Sequence, residues 1–442
     1  MAEKNSSWYV KVLMVGIAII MIIAPFYAPL SVLVASHLQH FDFWKIWKEL
    51  ALASLAATVL IFLPTHKEFA RKVLRNKLAL AIGLYVLLII AVGTYDLATH
   101  RVSSKAIIYG WLIDIRPVGF LAITFLAIAM GAQKKLAAFN WKKVVLIPAM
   151  AVIVFGFLQI TVLPKNILSH IGYSTSTITP YQTVDNQPGI VRIESTLRGP
   201  NPLGAYLVVI ITLLVSMFFT DKKRRFFWGL SIALALAVTF RTYSRSAEIG
   251  LVLSLAILLI MAERKVIGQH LVAAGAVAGL LVIAGLLASL QNNYFAQNIL
   301  FHSSNVSTSS LSSNAQRSEA IKTGVRDVVH RPLGSGVGSA GPASGRNAKG
   351  GLRLSENYFL QIGQELGIVG MILFIAINIL IGRGLWRQRN YELARVLLAS
   401  LIGLTFVNMV SHAWTDDTLA YIWWGLAGIA LVPDILKANK LK

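Results

Sequence analysis

The chain has 442 residues, 56% of them hydrophobic and 14% charged, with a formal net charge of +22. A soluble domain carries nearer a quarter charged residues, so this balance excludes an ordinary globular protein and predicts an all-α, polytopic integral membrane protein. The Lys and Arg excess has no basic arm with interleaved aromatics behind it, which excludes nucleic acid as the partner; zero cysteines exclude disulfides, thiolate catalysis and Cys-based metal sites.

Apolar runs of spanning length predict helices at 10–35, 48–64, 77–95, 111–132, 143–163, 202–220, 226–240, 247–262, 269–290, 357–382, 393–412 and 417–435. The first run, from Val12 to about Val34, is too long for the apolar part of a signal peptide and is the first membrane helix. About twelve transmembrane helices place both termini on one side. Every second loop is basic: Lys67 to Lys77, Lys134 to Lys143, Lys222 to Arg225, Arg264 and Lys265, Arg383 to Arg395, and the Lys437 to Lys442 tail. Those loops are cytoplasmic by the positive-inside rule, in a chain expected in the cytoplasmic (inner) membrane. The two long polar loops, 164–200 and 291–356, then lie outside, the second just before helix 10. No internal repeat is visible, so 1–442 reads as one membrane domain. Within the second loop, His302 to Asn314 reads as mobile, while Arg317 to His330 reads as a surface helix ended by Pro332.

Polar groups near the outer helix ends are the candidates for chemistry. Asp114 and Arg116, near the outer end of helix 4, are expected to pair. Arg198 stands at the mouth of helix 6, Arg241 and Arg245 in the short turn between helices 7 and 8, and Arg317 at the start of the surface helix. A guanidinium grips phosphate oxygens in a bidentate fork, so these arginines either form a diphosphate receptor or meet headgroups and acids such as Glu248. The glycines from Gly334 to Gly341 lack a P-loop ending and read as a flexible turn returning the loop over the membrane mouth. Ser355 reads as the N-cap of helix 10, which puts Glu356 in its first turn as a general base or simply a dipole-matched acid. Asn357, Gln361 and Glu365 form one polar stripe with Gln364 beside it, for substrate or for interhelical hydrogen bonds. Asp416 and Asp417 head helix 12, where capping is commoner than a divalent cation. His residues show no metal spacing, and no metal or cofactor is expected. Trp423 and Trp424 read as interfacial anchors.

This combination resembles the O-antigen ligase family, which also takes in O-antigen polymerases and some protein O-oligosaccharyltransferases. The family signature of His-Asn, nine residues, then Gly-x-x-Gly is matched in spacing by Glu356-Asn357 and Gly367-Ile368-Val369-Gly370, with glutamate at the histidine position. Ser244-Arg245-Ser246, Arg317 with Pro332 to Gly336, and Leu197 to Asn201 resemble its other elements. The resemblance implies a glycan moved from a polyprenyl-diphosphate carrier to an acceptor hydroxyl on a glycan or lipid-glycan, among membrane lipids, on the outer face. It implies Glu356, Arg245 and Arg317 as catalytic residues and Arg198, Asn201, Asn357 and Gln361 as substrate-binding ones. A repeat-unit polymerase of the same family is one alternative; a transporter or flippase of lipid-linked glycans is another.

Overall fold

Eleven of the twelve predicted spans fall on helices of the computed structural model, which describes residues 8–38, 44, 46–131, 140–184, 189–261 and 313–437. The ninth predicted span, 269–290, lies outside the described residues. So does the predicted mobile stretch, save Ser313 and Asn314, which already belong to a helix.

The main helices are α1 (Trp8–Leu38), α2 (Trp47–Phe62), α4 (Lys77–Thr99), α5 (Ser104–Gly131), α6 (Trp141–Thr161), α7 (Pro200–Thr220), α8 (Arg225–Arg241), α9 (Arg245–Ile260), α11 (Tyr358–Arg387), α12 (Glu392–Met409) and α13 (Gly425–Lys437). Eight of the described helices are long and apolar enough to cross a membrane. The short α3 (Lys67–Leu74) and the surface helix α10 (Ser313–His330) complete the set, with one small hairpin, β1 (Gln182–Thr183) antiparallel to β2 (Val191–Arg192).

At 31 residues α1 is about 46 Å long, against a hydrocarbon core of about 30 Å, and it bends at the turn Ala24–Phe26 that Pro25 imposes. Its second half packs on the 164–200 segment, with Val32 against Leu168 and Tyr173. The α7 stretch from Leu203 to Leu214 is buried all round, so this helix is the central post. Against it lie α9 and α12, whose backbones meet at Gly250, Ser254 and Gly403; a side chain on Gly403 would strike the Gly250 carbonyl. Small residues permit this approach where lipid offers no hydrophobic drive.

The Gly-rich run is not a flexible turn. Gly334, Gly336, Gly338 and Gly341 all have positive φ, and the run is inserted between α4, α5 and α11. It fills a break in α11 at Gly367 (φ +73). The Ser335 and Gly336 amides donate to the carbonyls of Gln364 (2.7 Å) and Glu365 (3.1 Å), and the Ile368 amide donates to the Pro332 carbonyl (2.9 Å). The chain's own loop thus satisfies the backbone groups the break sets free. The same insertion explains why α5 starts at Ser104 and not 111: Gly338 packs on Ala106 and Gly110.

Two side-chain expectations also fail. Trp423 and Trp424 are not interfacial; with Trp414 they form a buried cluster, ring centroids 5.1 to 5.5 Å apart, held by a bond from Trp423 Nε1 to Ser400 Oγ. A π-helical turn at Ala420–Trp424 re-aims these rings inward. Asp114 and Arg116 do not pair, because two residues of helix turn them to different faces. Arg116 bonds Glu49 (2.5 Å) and Asp417, while Asp114 faces Glu365.

Candidate active site

The acid at the centre sits just ahead of α11. Asn357, not Ser355, is the N-cap: its Oδ1 accepts from the Leu360 amide (3.0 Å). Glu356 is therefore outside the first turn, in the left-handed region at φ +44. Ser355 instead donates its hydroxyl to Gln364. Asn357 also donates Nδ2 to the Met409 carbonyl (2.9 Å), and the Tyr358 amide donates to the Ser411 carbonyl (3.1 Å). These bonds fasten the start of α11 to the turn that follows α12.

The surface helix delivers the cation. Val328 of α10 packs on Gly363 and Gly324 on Leu360, while Asp327 takes a bond from Gln364 Nε2 (2.7 Å) and an ion pair from Arg353. Docked in this way, α10 brings Arg317 Nε to 3.2 Å from Glu356 Oε2. The pair is half-buried, where a guanidinium–carboxylate contact still exchanges with solvent.

A second cation arrives from the other long loop. Arg198 Nε is 3.4 Å from Asp416 Oδ2, and Asp416 caps the next turn through the Leu419 amide (3.1 Å). Burial pushes the Asp416 carboxyl up, and Arg198 pulls it back. Asp417 is held by Arg116 and by Lys48 (3.6 Å). Beside them is a cavity of about 260 Å³ whose charged lining is Lys48, Glu49, Arg116, Arg198, Arg346 and Asp417. Arg346, from the loop below the Gly-rich run, stacks on Tyr109 at 3.6 Å. Four cations against two acids suit an anion of more than one charge.

The loop before Arg198 is pinned from several sides. Ser195 Oγ donates to the Val152 carbonyl (2.7 Å), the Ser195 amide to Gln159 (2.8 Å) and Thr196 Oγ1 to the Pro25 carbonyl (2.7 Å). Glu194 is buried there with both carboxyl oxygens unpartnered among the described residues, and burial pushes its pKa up to about 8.

Of the sequence-predicted residues, Glu356 and Arg317 meet directly, and Arg198 stands on the same 412–417 turn. Asn201 accepts from Arg192 Nη2 (2.6 Å), and Arg192 Nε donates to the Thr242 carbonyl (2.8 Å), so Arg192 of β2 ties the start of α7 to the α8–α9 turn. Arg245 opens α9 next to Ser244 and two residues before Ala247; both of these pack on Gly204. Gln361 is buried beneath Gly341, Asn357 caps α11, and Glu365 Oε1 accepts from the Ala340 amide (3.3 Å). Lys48, Glu49 and Arg346 carried no sequence signal. Neither did His412, whose ring lies within electrostatic reach of Glu356, Arg198 and Arg317.

Residues 230–375 match the family model described as O-antigen ligase. The match takes in Arg245, Arg317, Glu356, Asn357 and Gln361 and stops short of His412; Arg198 and Asn201 precede it. No curated protein matches the chain. That family implies a membrane glycosyltransferase-type enzyme with a lipid-linked glycan donor and a glycan acceptor. The matched segment together with the apolar helices therefore supports assigning this multi-pass membrane protein to the O-antigen ligase/polymerase family.

Proposed function

We propose that this protein transfers a glycan from a polyprenyl-diphosphate carrier to an acceptor hydroxyl, without a metal, on the extracytoplasmic face of the cytoplasmic membrane. The observation that carries the reading is the meeting of Arg317 with Glu356 beside Arg198 and its cation-lined cavity. The acceptor oxygen attacks the anomeric carbon, Glu356 takes its proton, and the lipid diphosphate leaves into a field of guanidinium groups. Arg317 and Arg198 provide that field from the two loops, and Arg245 adds to it from the α8–α9 turn. Asn201 and Asn357 fix the walls of the site, and Gln361 supports its floor.

A carrier function draws one observation, the break in α11, since broken helices form the ion sites of many transporters. Here the freed carbonyls are occupied by the chain's own loop, which favours transfer. Purified protein given a polyprenyl-diphosphate-linked glycan and an acceptor in EDTA tests the reading. Glu356→Gln is expected to lower the rate by about 10²- to 10⁴-fold. Undiminished transfer by that variant removes Glu356 as base. One product of single transfer marks a ligase and a ladder of lengths marks a polymerase.

A further inference from the structure

We propose that His412 is the proton-carrying partner of Glu356, the two side chains forming one acid–base dyad across the α11–α12 junction. This rests on the transferase reading above. Two observations on geometry carry it. The segments bearing the two residues are fastened together by the Asn357–Met409 and Tyr358–Ser411 bonds, so 356 and 412 emerge side by side from one clamp. His412 Nδ1 is sealed from solvent and has no hydrogen-bond partner among the described residues. His412 is also within electrostatic reach of Glu356, Arg317 and Arg198.

An unpaired ring nitrogen buried among charges is costly unless it has work to do. The charged groups facing it are Glu356 from the start of α11, Arg317 from α10 and Arg198 from the loop before α7, with Asp416 four residues along its own turn. Burial holds the imidazole below its ordinary range; Glu356 favours the imidazolium, while Arg198 and Arg317 disfavour it. The net shift favours the neutral ring, which has a lone pair to offer. Glu356 has one carboxyl oxygen taken by Arg317, so a base of two members suits the site better than the carboxylate alone.

In the step, the acceptor O–H bond breaks as its oxygen bonds to the anomeric carbon. The proton passes to Glu356 and on to His412 Nδ1. The electron pair of the breaking anomeric C–O bond leaves with the lipid diphosphate, and the proton later returns from His412 through the partly exposed Glu356 to water.

Two measurements on the full-length protein in detergent test the dyad. In the first, ¹⁵N NMR of histidine-labelled protein follows the His412 titration, assigned by difference against His412→Asn. Glu356→Gln removes the one neighbour that favours the imidazolium, so the His412 midpoint is expected to fall. In the second, His412→Asn is expected to lower kcat by about 10²-fold with KM little changed, and to abolish the wild-type loss of rate as pH falls through the His412 titration. With active wild-type protein, an unmoved midpoint, or an unchanged pH profile in His412→Asn, overturns the dyad alone. Absence of transfer by wild-type protein overturns the transferase reading and the dyad with it.

Discussion

Glu356 is held where the backbone does not favour it: φ +44 costs a residue with a side chain about 1–2 kcal/mol, and a half-buried ion pair to Arg317 returns less than that. Glycine or asparagine would sit there more comfortably, and this strain is in keeping with the role proposed for its carboxylate. Glu194 raises a different question at the same scale, since its burial makes folding depend on its proton. Its folded pKa, about 8, lies above its ordinary value of 4.5, so the stability it contributes is complete below about 4.5 and lost as pH rises through 8. Glu194→Gln keeps the shape and removes the charge. Thermal unfolding in detergent is expected to give similar midpoints for the two proteins at pH 4.5 and a higher midpoint for the variant at pH 9, by roughly 2–4 °C for each kcal/mol regained. Equal midpoints at pH 9 refute this account of Glu194.

Among the elements, α11 organises the site because it is interrupted. The Gly367 break lets residues 332 to 338 enter the bundle, and that insertion in turn fixes where α10 and Arg317 come to rest. Gly367→Ala would bring a Cβ to 2.2 Å from the Pro332 carbonyl oxygen at a φ that alanine disfavours. The expected cost is about 3 kcal/mol, read as a lowered unfolding midpoint together with protease cleavage in the 331–357 segment. Unchanged resistance to protease in this variant means that the inserted loop does not depend on the break.

For the whole molecule, a buried network of Lys48, Glu49, Arg116 and Asp417 links α2, α5 and the segment ahead of α13 around the cavity. Buried ions of this kind add little net stability, yet they fix where the helices sit relative to one another. The proposed orientation rests on the positive-inside rule, which puts the basic loops in the cytosol and the site segments outside. Since the natural chain has no cysteine, single-cysteine variants report it cleanly. In intact cells an impermeant maleimide is expected to label Lys349→Cys and to reach Lys222→Cys only after lysis. The reverse pattern would put the site on the cytosolic face and end the proposal of a lipid-diphosphate donor met outside.

The sequence by itself determined the all-α class and the place and order of eleven helical stretches among the described residues, because hydrocarbon demands long apolar runs and such runs are local. It also marked Glu356, Arg198 and Arg317 as out of place, since charges near a bilayer stand out in composition alone. What it left undecided was partnership: Arg116 with Glu49 and Asp417 instead of Asp114, a Gly-rich run packed into a broken helix, and the start of α11 fastened to Met409 and Ser411. Those contacts join residues tens to hundreds of positions apart. Only the tertiary structure decides them, because they depend on which helix faces meet, and no local pattern encodes that.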